Sequence, residues 1–288
     1  MNRCIRPALI GMALALSLGA ALQAQLPSSP RRFVDFLDER CYQISGPAIS
    51  TPLRLDHLNP VLLGMGLGPQ NVTLSGSQSL CVPVAKNGSV APADTLPFIQ
   101  YVDWKCYGVT GTAPNVPLHL THLNTVFAGL FGANVDVTLL EPQQLCVPVS
   151  KNNANIPANV LALIQYLDVE CFRVSSTQNL TRTITLQHLN PLLTTLSREN
   201  SSVGPTPVQL CVPVTKNQTV IPTTIQQYIA FSDVLCYPAT GNPLGLNLQL
   251  KHLNPVLAGL PVETLFVGNS QKLCVPVAKN NMLPPGNP

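Results

Sequence analysis

Apolar and polar residues alternate in short runs along this chain. Leu118-His119-Leu120-Thr121-His122 alternates, as do Leu53-Arg54-Leu55-Asp56-His57 and Leu248-Gln249-Leu250-Lys251-His252. A period of two predicts strands with one buried face. Val135, Val137 and Leu139 keep the same period, and the runs around the cysteines are rich in Val, Tyr and Phe, residues that fit a pleated surface. Asn59-Pro60, Asn190-Pro191 and Asn254-Pro255 follow His-Leu pairs as turn signals. Helical spacing shows in one place. Pro157 suits a first helical position, and Val160, Leu163, Ile164 and Leu167 then share a face. The pattern predicts an all-β chain with a short helix before some strands.

The runs recur. Cys41, Cys106, Cys171 and Cys236 are spaced by 65 residues, and Cys81, Cys146, Cys211 and Cys274 follow at nearly the same period. Each unit opens with an aromatic, an Asp, a Cys and an aromatic: Phe36-Asp38-Cys41-Tyr42, Tyr101-Asp103-Cys106-Tyr107, Tyr166-Asp168-Cys171-Phe172 and Phe231-Asp233-Cys236-Tyr237. An alternating run then ends in His-Leu-Asn at His57, His122, His188 and His252. Each unit closes with Leu-Cys-Val-Pro-Val-x-Lys-Asn, whose lysines are Lys86, Lys151, Lys216 and Lys279. A fixed period of this kind signals an array of supersecondary units or small domains. The boundaries fall at 25–91, 92–156, 157–221 and 222–288. Four strands are expected per unit: one at the first Cys, one ending in His-Leu, one near the Val-x-Val stretch, and one at the second Cys.

A unit of about 65 residues buries only roughly 60% of its unfolded surface, so its core is marginal without a staple. The expectation is four small β-sandwich or barrel-like repeats, each with one internal disulfide: Cys41–Cys81, Cys106–Cys146, Cys171–Cys211 and Cys236–Cys274. The rival pairing joins neighbouring units, as in Cys81–Cys106. Asp38, Asp103, Asp168 and Asp233 then lie near Lys86, Lys151, Lys216 and Lys279 on the face opposite the disulfide. A cross-strand ion pair of roughly 0.2–1 kcal/mol is expected there. Pro83 and Lys86 would blunt an edge strand. The spacing from each second Cys to the next first Cys is always 25, which hints at ordered packing between units. Beads on a string remain the simpler picture, with four-bladed propeller-like closure as the alternative.

Residues 1–24 read as a secretory signal peptide. Arg3 and Arg6 precede the apolar run Ala8–Leu22, and Ala21 and Ala24 offer cleavage sites. Cleavage removes Cys4 and leaves eight cysteines, an even count that suits disulfides in an exported chain. It also lowers the net charge from +3 to about +1, which argues against nucleic acid as a partner. No later run is long enough for a membrane span. The expected location is the periplasm or the extracellular space.

Candidate chemistry is sparse. The four His-Leu-Asn histidines would form a metal site only if they met around an axis; the simpler reading is that each caps a strand at a turn. No motif of a hydrolase, phosphate-binding loop or zincin occurs, so a non-enzymatic chain without cofactor is expected. Trp104 and the repeated aromatics read as core. The segments 64–75, 129–136, 194–206 and 258–269 differ most between units, so recognition of a protein or glycan would lie there. Sequons at Asn71, Asn87, Asn179, Asn200 and Asn217 matter only in a glycosylating host.

The Asp-x-x-Cys-aromatic motif, the Leu-x-Leu strand and Leu-Cys-Val-Pro-Val-x-Lys together resemble a family of uncharacterised bacterial exported tandem-repeat proteins, a domain of unknown function. The resemblance implies export and repetition but no activity. Where that family carries Asp-Gln-Phe after the middle strand, this chain has His-Leu. The combined expectation is a structural or adhesive role at the cell envelope or beyond it. A binding module is the first alternative and a metal-binding protein the second.

Overall fold

The computed structural model describes residues 26–288; the signal-peptide reading lies outside them. The strands are β1 (Glu39–Ile44), β2 (Thr51–His57), β3 (Gln70–Leu74), β4 (Ser77–Lys86), β5 (Trp104–Gly108), β6 (Val116–His122), β7 (Asn134–Lys151), β8 (Asp168–Ser175), β9 (Arg182–His188), β10 (Glu199–Val203), β11 (Gln209–Lys216), β12 (Val234–Pro238), β13 (Leu246–His252) and β14 (Glu263–Lys279). Short helices are α1 (Pro30–Val34), α2 (Pro60–Gly64), α3 (Leu96–Ile99), α4 (Thr125–Phe131), α5 (Ala158–Ile164) and α6 (Thr223–Ala230), with a 3-10 turn at Pro255–Leu257.

Eight strands close a single antiparallel barrel. The order around it is β1, β4, β5, β7, β8, β11, β12 and β14, which returns to β1. The fold is therefore all-β, but the sequence units do not close as separate sandwiches. Each lends two strands to a common wall. Nor is the body a propeller, because its strands run side by side around one bore. Closure removes the unpaired edges that an open sheet would present.

The remaining strands form hairpins outside this wall. β2 pairs with β3, β6 with the first half of β7, β9 with β10, and β13 with the first half of β14. In the second and fourth units the expected third and fourth strands are one continuous strand. Each hairpin also pairs with a wall strand two units away. His57 of β2 lies opposite Val214 of β11, and His188 of β9 opposite Val84 of β4. His252 of β13 lies opposite Val149 of β7, and His122 of β6 opposite Val277 of β14. The first and third units thus exchange hairpins, as do the second and fourth.

This placement explains the local sequence. The Val-Pro-Val runs belong to strands covered on both faces, which is why their apolar residues are nearly continuous. β4 is not the edge strand that Pro83 suggested. Proline, lacking an N–H, stands where the wall strand changes partners. The Pro83, Pro148, Pro213 and Pro276 carbonyls accept from Leu189, Leu253, Leu58 and Leu123, the residues after the four histidines.

The eight cysteines face the bore at one level. The pairs are Cys41–Cys81, Cys106–Cys146, Cys171–Cys211 and Cys236–Cys274. The disulfides are themselves neighbours. The Sγ atoms of Cys81 and Cys106 are 3.9 Å apart, those of Cys146 and Cys171 3.6 Å, those of Cys211 and Cys236 3.9 Å, and those of Cys274 and Cys41 3.8 Å. The sulfurs form an uninterrupted ring. Residues of α1, α3, α5 and α6 pack with it in one core that includes Phe33, Phe98, Leu163 and Ile229. α5 starts one residue after Pro157, its N-cap, and buries Val160, Leu163 and Ile164. Trp104 is buried in this core and donates to the Leu167 carbonyl at 2.8 Å.

Candidate functional site

The residues that the sequence singled out become structural locks. Asp38 pairs with Lys86, Asp103 with Lys151, Asp168 with Lys216, and Asp233 with Lys279. All eight are buried, which takes each pair outside the range of roughly 0.2–1 kcal/mol that holds for exposed pairs. Burial is the largest influence on both partners. It pushes each carboxyl up and each ammonium down, and the partner's charge opposes both shifts.

A third member completes each pair, and sequence reasoning missed it. The Asn of His-Leu-Asn caps a short helical turn. The Oδ1 atoms of Asn59, Asn124, Asn190 and Asn254 accept from the backbone N–H of Val61, Val126, Leu192 and Val256. Their Nδ2 groups donate to the Asp of an adjacent unit. Asn59 reaches Asp233 at 2.7 Å, Asn190 reaches Asp103 at 2.9 Å, Asn254 reaches Asp168 at 2.8 Å, and Asn124 reaches Asp38 at 3.4 Å. The four bonds run once around the barrel. The signal was the recurring Asn itself, read only as a turn former.

The four histidines are buried, and each meets a strand of the unit two away. Nε2 of His188, His122 and His252 lies 3.1, 3.0 and 2.8 Å from the hydroxyls of Tyr42, Tyr237 and Tyr107. His57 faces Phe172 instead, and its Nε2 lies 3.1 Å from Gln70 Nε2. Burial is the main cause that lowers all four imidazoles to about 4. Each has its own protein partner, so they do not meet around an axis. Among the described residues no three His, Cys, Asp or Glu side chains are grouped to hold a metal ion.

A second set of buried charges lies between wall and hairpins, at the residue before the first Cys of the first three units (Arg40, Lys105 and Glu170); the fourth unit has Leu235 there. Arg40 pairs with Glu199, and Lys105 with Glu263 at 2.5 Å. Glu199 and Glu263 begin their strands, β10 and β14, as Gln70 begins β3. Opposite Gln70 the wall carries Glu170. This carboxylate is buried and makes no hydrogen bond; its nearest charged-capable neighbour is His57 Nε2, at 3.7 Å. Burial pushes Glu170 up to about 8.

Above the sulfur ring the bore is polar. Side chains two residues along a strand share a face. Ser79, Gln144, Gln209 and Lys272 therefore follow the cysteines into the barrel mouth. β14 and β7 stand diametrically opposite in the wall, yet Lys272 Nζ reaches Gln144 Oε1 at 3.0 Å. It also donates to Gln209 Oε1 at 2.5 Å. Gln144 Nε2 donates in turn to Gln78 at 2.7 Å, and Gln209 Nε2 to Gln143 at 2.8 Å. This network floors an open cleft of about 630 Å³ that also includes Thr110, Glu141 and Gln271. Burial lowers Lys272 to about 8. At the rim Arg173 clasps Glu141 through contacts of 2.5 and 3.0 Å.

Other surface features are less built. A cleft of about 560 Å³ holds an exposed His119–Asp136 pair with Ser175 and Ser176. Of the four variable segments, 64–75 lines part of a third cleft with Gly111–Pro114. Much of the variable sequence is strand rather than loop, in β3, β7, β10 and β14. Among the described residues no helix is long and apolar enough to cross a membrane. No family model, no curated protein and no solved structure matches this chain.

Proposed function

We propose that this chain is an exported, non-enzymatic scaffold of four related units, with a structural or adhesive role at the cell envelope or outside the cell. The observation that carries the reading is the ring of four disulfides inside a closed barrel. Such bonds persist in oxidising compartments. Asn bridges fasten adjacent units, and hairpin exchange with the Arg40–Glu199 and Lys105–Glu263 pairs fastens opposite ones. A body locked in both directions suits a component that must keep its shape beyond the reach of cellular repair.

The test compares cells with and without the gene. Exported protein should carry its eight mature cysteines as the four bridges described, by peptide mapping without reductant. Loss of the gene should weaken detergent resistance or surface attachment. Free thiols in native material, or a deletion that leaves both properties intact while the protein is normally abundant, overturns the reading. Recognition of a ligand is the second reading, favoured by the polar cleft around Lys272.

A further inference from the structure

We propose that the barrel mouth binds a small organic carboxylate, with Lys272 Nζ as its cationic anchor. The inference goes beyond the scaffold reading and stands without it.

The first support is a contrast among the lysines. Lys86, Lys105, Lys151, Lys216 and Lys279 are buried, and each touches a carboxylate. Lys272 is half-buried at the floor of the cleft, and both of its partners are neutral amide oxygens. An ammonium has three N–H donors. Two are spent on Gln144 and Gln209, and the third has no acceptor among the described residues. The one carboxylate lining the cleft, Glu141, is held in a two-point grip by Arg173. The cleft therefore keeps an uncompensated cation at its floor. Charges taken from water without a counter-ion are costly, and an entering anion supplies what the fold withholds.

The second support is the set of groups around the cation. Gln78 and Gln143 spend their amide oxygens on the inner glutamines. Their NH₂ groups are left as donors beside Lys272. One cation flanked by neutral donors matches a monoanion with its own hydroxyl or amide groups. It does not match a phosphate, for which a second cation or an array of backbone N–H groups is usual. The volume of about 630 Å³ falls within the range of about 300–1,000 Å³ common for small-molecule sites.

The third support is positional. Ser79, Gln144, Gln209 and Lys272 each stand two residues before the second Cys of their unit. Three are neutral, and the fourth introduces a charge that the barrel does not require. The fold accepts glutamine at this level twice over, so Lys272→Gln removes the charge and keeps the wall.

The experiment is an NMR titration of the oxidised full chain with D-glucuronate, N-acetylglycylglycine and, as the neutral control, D-glucose. The two carboxylates separate a sugar-acid source from a peptide source. Saturable shifts of the Gln78, Gln143, Gln144 and Gln209 side-chain amides are expected with at least one carboxylate and not with glucose. Lys272→Gln should weaken that affinity tenfold or more while its backbone spectrum keeps the dispersion of the parent. The proposal is overturned if neither carboxylate saturates the site, if glucose binds equally, or if folded Lys272→Gln binds as the parent does. Arg173→Gln serves as a second variant, and a loss confined to it would place the anion at the rim and overturn the role of Lys272.

Discussion

Glu170 offers the cleanest test of the electrostatic account. The perturbation is Glu170→Gln, which keeps the shape of the side chain and removes its charge. Burial raises the carboxyl from 4.5 to about 8, and no hydrogen bond compensates it. A raised carboxyl is protonated in the folded chain where it is ionised in the unfolded one. Its contribution is complete below pH 4.5 and is lost as pH climbs to about 8. At roughly 1.36 kcal/mol for each pH unit, the loss is on the order of 5 kcal/mol. The group is fully buried, so solvent screening does not reduce the figure. The assay is guanidinium unfolding of the oxidised parent and variant at pH 4.5 and pH 9. The variant should gain stability relative to the parent by about 4–5 kcal/mol between these values. A difference that stays constant within about 1 kcal/mol refutes the claim that Glu170 is an uncompensated buried carboxylate.

The four wall-facing histidines titrate with the opposite sign. Their folded values near 4 lie below 6.5, so the stability they permit is present above pH 6.5 and drains as pH falls toward 4. Each accounts for up to about 3 kcal/mol. Imidazole carbon shifts at pH 5.5 should report these four rings as neutral, and midpoints near 6.5 would contradict the burial argument. Asp168→Asn should cost about 3–5 kcal/mol, because Lys216 is then buried without a counter-charge. Adding Lys216→Met should restore most of that loss in thermal unfolding; a double variant no better than the single one refutes the pairing as the cause.

The sequence carried the disulfide scheme because repetition aligned equivalent cysteines, and it carried the strands because their period was strict. It did not carry the closure. A strand ending in His57 shows the same alternation whether it pairs within its own unit or with β11, since periodicity reports the buried face and not the partner. One signal was available. At Leu80-Cys81-Val82-Pro83-Val84 apolar residues stand at odd and even positions alike, which a small one-sided sheet does not need and a wall between two cores does. The Asn of His-Leu-Asn read only as a turn former, because its second bond crosses to another unit and leaves no local trace. Lys272 was hidden for a related reason: its meaning lies in Gln144 and Gln209, which stand far away in the chain and adjacent only across the bore.

The hairpin exchange has a consequence for dividing the molecule. A fragment ending near residue 156 keeps β2 and β6 but loses β11 and β14, the strands on which they dock. It also ends with half a wall and two raw margins. Such a half-chain has one way to satisfy every margin and every hairpin at once: meeting a second half-chain head to tail, so that two short polypeptides rebuild what one long polypeptide makes alone.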